Sequence, residues 1–551
     1  MKLLRSKMIT VCFFIILLLL PISLPLVKAD PTVVKIGVIA ASGGLYAKEV
    51  LAQIAIADIN QYMTDNLIDY QFEYEIKDAE GSASIHQQRV VEFNDAGVKF
   101  INGGGWSGQA AYSREFCNDN NILLLSSSST SPSLEIPGDN LFRLCPSDSF
   151  YGPAIANMIK SYGYDYTIII WRGDGWGDGL ANSFKDAYTS QGGTIVGDSS
   201  TRYPGSATVF TSYLKSAEKQ MAAARKQYGT DNVCILLLAF NEAAQIIASA
   251  KNYPTIYNTR WFGSDGTAQN WGILDNAPEA ASHLRLFSIK AKDVHGYWYQ
   301  SVADRYDAIV HQGFGSYNAF DYDIYWVLAL SIVEAGYVPG GDPSDVDAVK
   351  AILPGVAAGF DGASGYCTLN EFGDRVSQGF DIWGYGTYNW ETQMFWFGWV
   401  DSSNNIYWEP NAFRLYGYAS GSVTGYKNAY SAKIVKGNWD LIIDQWDAKF
   451  TLTYSEKNLN SAIEDSPTGS VDKFYVTGWG NIVSQTRSEV VFECWLNFQK
   501  DWAKKDGTRE TVWFGFPATI TVNKSGLYID LPIIRYQNFD ILGKTTSFKF
   551  N

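Results

Sequence analysis

Between residues 33 and 263 the chain alternates two kinds of apolar pattern. Short β-branched and aliphatic runs fall at 33–40, 72–77, 98–102, 122–125, 166–171, 233–238 and 260–263. Between them lie longer stretches with apolar positions three and four apart, at 50–62, 84–94, 108–118, 152–162, 179–191, 208–228 and 242–252. The first kind predicts buried strands, and the second predicts amphipathic helices. Strand and helix in strict alternation predict parallel sheets covered on both faces. One such sheet rarely takes so many units, so the expectation is two doubly wound lobes, divided near Pro146. Helices at 297–308 and 321–335 and a strand in FDIWGYG at 380–386 continue the pattern.

Beyond residue 389 the periodicity changes. Aromatics crowd into WETQMFWFGWV, and short alternating runs such as KFTLTYS, DKFYVTGW, SEVVFECWLNF and GLYIDLPIIRY follow. Such runs, separated by turn residues, predict an all-β module over about 410–551. The expected division is 33–147 with 290–375 as the first lobe, and 148–289 with 376–409 as the second. A hinge is expected where the chain crosses between lobes, near Pro146 and at 288–293 and 374–380. The aromatic stretch at 390–399 is expected between the lobes and the β module. The role of that module is open: carbohydrate binding through exposed aromatics, docking to the envelope or to a permease, or capping the second lobe.

Lys2, Arg5 and Lys7 precede an apolar run over 11–27 that ends in Val27-Lys28-Ala29. This is the layout of a secretory signal over 1–29, cut after Ala29, with an uncleaved anchor as the alternative. No later segment is long and apolar enough to span a bilayer. The 551 residues carry a formal charge of −14. Removing the signal's four basic residues takes the charge to about −18, a surface that repels phosphate backbones and excludes nucleic acid as a partner. The remaining cysteines are Cys117, Cys145, Cys234, Cys367 and Cys494. Their odd number and the absence of a C-x-x-C pair point to buried thiols, not to a disulfide framework or a zinc site.

In an open parallel sheet the ligand lies beyond the carboxyl ends of the strands. In the first lobe those ends are ASGGLYAK, GGGWSGQ and the serine run in NILLLSSSSTSPSL. Ser107 and the following amides open a helix, and Ser128 and Thr130 end the neighbouring strand. Helix-starting amides with hydroxyls form an anion site, the dipole adding about 0.3–1 kcal/mol. The competing reading is that these serines only cap helices and turns. The second lobe presents RGDGWGDG, AFNEAAQ and SDGTAQN, which contribute Trp176, the Ala239–Phe240 pair and Asp265. An acid facing an anion site across a cleft walled by Tyr46, Trp106 and Trp176 complements a zwitterion such as an amino acid. Asp265 alone reads equally as a turn residue or helix cap.

Signals for catalysis are poor. GWSGQ lacks the second glycine of a nucleophile elbow, GGG at 103–105 lacks the Walker lysine, and no H-E-x-x-H occurs. None of the four histidines adjoins a strand end. GDGWGDG misses the dinucleotide register, and Asp174 and Asp178 lack the other ligands of a calcium loop. Neither a metal nor a cofactor is expected.

VVKIGVIAASGGLYA, GGGWSGQAAYSREFCNDNNILLLSSSSTSPSL, NLFRLCPSDSFYGPAIANMIKSYGYDYTIIIWRGDGWGDGLANSFKDAY and FGDRVSQGFDIWG together resemble the type I periplasmic binding proteins of branched-chain amino acid ABC transporters, in order, over about 33–400. The resemblance implies that Ser107, Ser128, Ser129 and Thr130 hold a ligand carboxylate, that Asp265 holds its ammonium, and that Trp176 and the Ala239–Phe240 neighbourhood form aromatic walls. It also implies a non-enzymatic, secreted or extracytoplasmic monomer that captures an amino acid or analogue and delivers it to a membrane permease. Three features depart from the family. The first loop is short, which bears on Tyr46; the family's small N-terminal disulfide has no counterpart; and the β module lies outside the pattern. Asp265 stands where glutamate is common, and Trp106 and Trp176 are bulky, so the ligand's identity stays open. The alternatives are a sensory receptor of the same fold and, more remotely, a secreted glycosidase built on an acidic pair.

Overall fold

A computed structural model describes residues 30–311, 313–388, 391–409, 412, 417–423, 425–428, 432–444, 447–458, 467–468, 470–486, 489–523, 525–530 and 542–550. The expected signal and anchor fall outside the described residues. Two α/β sheets stand in tandem, each wrapped by helices. The first has six parallel strands. In spatial order they are Asp374–Arg375, Leu141–Pro146, Leu123–Ser126, Phe100–Asn102, Thr32–Ala40 and Tyr70–Asp78. Leu123, Leu124 and Leu125 are fully buried, as both faces of the sheet are covered. The continuous apolar runs of the sequence encode this placement.

The second sheet is built on the parallel strands Tyr166–Gly173, Val233–Leu238, Trp261–Gly263 and Phe287–Ala291. Its other edge is antiparallel. Phe380–Tyr388 pairs with Phe287–Ala291, and Glu391–Val400 and Ile406–Trp408 follow. The aromatic stretch expected to pack between units therefore forms a strand of this sheet, with Phe397 buried on its inner face. The helices Tyr297–Val310 and Ser316–Tyr337 pack on Leu45–Asp65 beside the first sheet. The chain thus passes between the sheets three times among the described residues: after Pro146, after Ala291 and after Arg375.

From Gly417 onward the described strands are antiparallel. Gly417–Val423 pairs on one side with Ala432–Asp444 and on the other with Leu542–Phe550, so the sheet closes into a barrel. Alternation does the rest: Ala448, Phe450, Leu452 and Tyr454 point inward along Asp447–Asn458, and Trp439, Phe492 and Leu496 join them. The interior is filled with side chains. Gly480 sits where the wall is tightest, as an added Cβ would fall 1.8 Å from the Glu493 carbonyl oxygen. The outer wall exposes Tyr475, Trp479, Trp495 and Trp513, with Trp479 directly opposite Trp495.

Among the described residues no helix is long and apolar enough to cross a membrane. The five cysteines expected as thiols are all free and buried. Burial pushes the thiols of Cys117, Cys145, Cys234 and Cys367 up to about 12. No group of acids, histidines or cysteines among the described residues could hold a metal. Asp174 instead caps the helix Gly175–Ser190, accepting from the Gly177 amide at 3.0 Å. Asp178 accepts from the Trp171 indole at 3.0 Å and pairs with Arg202.

Candidate functional site

The carboxyl ends of the first-sheet strands meet in two loops held against each other. In the glycine loop Gly104 has φ 64° and its amide donates to His86 Nε2 at 2.7 Å. Because Nε2 accepts, the His86 proton lies on Nδ1, which donates to Ser113 Oγ at 2.7 Å. Burial lowers the imidazole pKa to about 4 and keeps the ring neutral. The serine run supplies the other clamps. Ser126 Oγ donates to the Gly104 carbonyl at 2.8 Å, Ser129 Oγ donates to the same oxygen, and Ser128 Oγ donates to the Gly105 carbonyl at 2.7 Å. Arg143, fully buried, donates to the Ser129 and Ser131 carbonyls at 2.9 and 2.8 Å and is paired with Asp374.

Hydroxyl accounting separates the roles. Ser128 and Ser129 each spend their one proton on the glycine loop. Thr130 Oγ1 donates to Asp148 Oδ2 at 3.0 Å. Ser107 Oγ, in contrast, accepts from the Ser131 amide at 3.2 Å, which leaves its proton available to an acceptor in the cleft. It stands at the first residue of the helix Ser107–Asp119, beside the amides and partial positive charge of that terminus.

Across the cleft, Asp265 follows the strand Trp261–Gly263. Its Oδ2 accepts from the Tyr317 hydroxyl at 2.5 Å, and its Oδ1 is buried with no partner among the described residues. Tyr317 is in turn 3.2 Å from the Tyr151 hydroxyl, which accepts from the Ala291 amide at 3.0 Å. Burial raises the Asp265 pKa above the ordinary carboxylate value. Asp148 is a second buried acid, with Oδ1 also unpartnered. Burial and then the charge of Asp265 hold its pKa well above the usual range. Trp176 stacks on Phe240 at 4.1 Å and 25°. The Arg172 guanidinium lies 5.4 Å over the Phe240 ring and is paired with Asp174 and, at 3.1 Å, with Glu242.

The cavity between these walls measures about 390 Å³. Of the residues singled out in the sequence, Trp106, Ser107, Ser128, Thr130, Trp176, Phe240 and Asp265 line it. Three do not. Ser129 is turned into the protein to clamp Gly104, and Ala239 is buried beneath Gly266, where an added Cβ would fall 2.3 Å from its carbonyl oxygen. Tyr46 sits in the first turn of Leu45–Asp65, 61% exposed, because the helix starts directly after the short loop. The structure adds Arg172, Asp174 and Tyr317 to the lining, and Asp148, His86 and Arg143 behind it. Tyr317 begins a helix far along the chain, and nothing local in the sequence marks it.

A cleft at the strand ends of two α/β lobes, with hydroxyls and helix-start amides facing a carboxylate, defines a two-lobed ligand-binding protein. The comparisons agree with that class. Residues 51–387 match the model of the receptor family ligand binding region, and the chain belongs to that family. An uncharacterised protein of Methanocaldococcus jannaschii is 25% identical over 389 residues, 66% of this chain and 89% of that protein. The Leu/Ile/Val-binding protein homolog 3 of Brucella melitensis is 24% identical over 294 residues, 52% of this chain and 72% of its own. Among solved structures, a leucine-binding protein of Thermotoga maritima superposes with a TM-score of 0.54 at 19% identity, covering 66% of this chain and 97% of that one. The matched family is a ligand-binding one, and the Brucella and Thermotoga proteins are binding proteins by name, not enzymes. The fold is that of the type I periplasmic binding proteins, and the barrel lies outside the matched region.

Proposed function

We propose that the chain is an extracytoplasmic solute-binding protein that closes two lobes on an α-amino acid and delivers it to an ABC transporter permease, acting as a monomer. The lobes are 33–147 with 292–375 and 148–291 with 376–412, the crossing falling after Ala291 and not at 289, and the β module follows. One observation carries this reading: the buried, unpartnered Oδ1 of Asp265 faces a cleft whose other wall offers the Ser107 proton and helix-start amides. A buried acceptor without a partner is costly, so a ligand donor placed there gains what the empty protein forgoes. In this reading Asp265 and the Tyr317 hydroxyl take the ammonium, and the Ser107 hydroxyl with the main-chain amides around Thr130 and at the helix start takes the carboxylate, the Thr130 hydroxyl being committed to Asp148. Ser128 and Ser129 hold the glycine loop in shape, and Trp106, Trp176 and Phe240 wall the side chain. Closure is a hinge equilibrium that ligand biases, and it involves no bond making. The names of the relatives, which include Leu/Ile/Val-binding proteins, support the transport role.

Calorimetric titration of the mature chain with amino acids and with the matching 2-hydroxy acids tests the reading. Asp265→Ala should weaken an amino acid by about 2–5 kcal/mol, as the partner of a desolvated charge is lost. The hydroxy acid, lacking an ammonium, should change far less. An unaltered amino-acid to hydroxy-acid ratio in the variant refutes the assignment.

A further inference from the structure

The relatives named for Leu, Ile and Val raise a question that the cleft itself answers. Among the described residues its lining contains no leucine, isoleucine, valine or methionine. The carbon surface it offers comes from rings. Trp106, 41% exposed, stands on one wall, and the Trp176–Phe240 stack stands on the other. The space beside Trp106 is held open by Ala41, Gly81 and Ala83. A side chain at Gly81 would bring its Cβ to 3.5 Å from the Trp106 ring.

Charge narrows the choice further. Arg172 also lines the cleft, but its guanidinium is already shared between Asp174 and Glu242. An anionic side chain would meet those two carboxylates, and a cationic one would meet the guanidinium. A neutral side chain meets neither penalty. A branched aliphatic group would find almost no aliphatic partner here, whereas an aromatic side chain meets ring carbon on both walls.

We propose that the ligand is an aromatic α-amino acid whose ring sits between Trp106 and the Trp176–Phe240 stack, and that these three rings set specificity. The proposal rests on the amino-acid reading of the cleft. A ring hydroxyl or indole N–H pointing toward Arg172 and Asp174 would find both donor and acceptor there.

The test is calorimetric titration of the mature chain with L-phenylalanine, L-tyrosine and L-tryptophan against L-leucine, L-isoleucine and L-valine. At least one aromatic amino acid should bind about tenfold more tightly than any aliphatic one, the scale expected of ring stacking beyond buried area. Trp106→Ala removes a part-exposed ring without opening the core, and it should bring the aromatic-to-leucine ratio close to parity. Trp106→Phe should recover most of the preference. Aliphatic binding as tight as aromatic, or a ratio unmoved by Trp106→Ala, overturns the inference while leaving amino-acid binding in place. No binding by any of the six overturns the inference, and no binding by the remaining proteinogenic amino acids as well overturns the reading it rests on.

Discussion

Asp148 allows a quantitative test of the cleft's electrostatics. Its carboxylate is buried in the first turn of the helix Asp148–Ser161, Thr130 covers Oδ2, and nothing reaches Oδ1. Arg143, the facing cation, is committed to Asp374, while Asp265 and Glu135 add negative charge. The pKa is therefore raised well above the ordinary value. An acid raised in the folded state contributes stability fully below its unfolded pKa of about 3.9 and loses it as pH climbs through the folded value. Each unit of difference corresponds to about 1.4 kcal/mol. Asp148→Asn keeps an acceptor for Thr130 and removes the titration. Since a buried polar group left unsatisfied costs about 1–3 kcal/mol, the variant should be more stable by about that amount at neutral pH. Well below that unfolded value, at about pH 2–3, the gain should vanish, because the wild-type acid is then largely protonated in both states. Scanning calorimetry resolves the difference, as about 1 kcal/mol moves the melting temperature of a large domain by roughly 2–4 °C. A variant that melts lower at neutral pH, or that gains equally at both pH values, refutes the reasoning.

Asp374→Asn strands the fully buried Arg143 guanidinium and should cost about 3–5 kcal/mol, read by denaturant unfolding, with loss of ligand affinity because the Ser129–Ser131 backbone hangs on that arginine. His86, lowered to about 4 in the fold, contributes stability that is complete above its unfolded pKa and lost as pH falls toward the folded one. His86→Gln should therefore flatten the acid side of the stability profile by about 3 kcal/mol, which urea titrations at several pH values would measure. A chain ending at residue 416 should melt cooperatively and keep its ligand. Ala412 still belongs to the lobe core and accepts from the Tyr162 hydroxyl at 2.7 Å, whereas a cut at 420 would sever the barrel strand Gly417–Val423.

The strands that the sequence displays most clearly are those without charge. Leu123–Ser126 and Val233–Leu238 read as apolar runs because both faces of each are covered, and Thr32–Ala40 does so from Ile36 onward, past the exposed Lys35. Leu141–Pro146 and Phe287–Ala291 are harder to read because Arg143 and Lys290 interrupt them, and the sequence does not mark which acid each charge meets. Asp374 lies 231 residues from Arg143, and Lys290 bonds Gln269 at 2.7 Å and Asp293 at 2.9 Å. The cleft shows the same limit. Ser107, Thr130 and Asp265 sit at strand ends that the alternation of elements locates. Tyr317 reaches the cleft, and Asp148 stands behind its lining, from helices whose position only the folded chain fixes. The serine run looked like a ligand cradle because hydroxyl chemistry is visible in sequence. That three of those protons are consumed by the Gly104 and Gly105 carbonyls is a matter of geometry.

The barrel's closure also governs the order in which the protein can be made. Its first strand, Gly417–Val423, is bonded on one side to its last, Leu542–Phe550. On a ribosome the lobes can assemble once the chain through about Ala412 has emerged, while the barrel's opening strand must wait for more than a hundred further residues before its seam can be sewn. A premature stop inside this region consequently leaves no smaller barrel behind. It leaves an open sheet with two unpaired edges and a row of Phe, Leu and Trp side chains facing water, the kind of species that quality control removes.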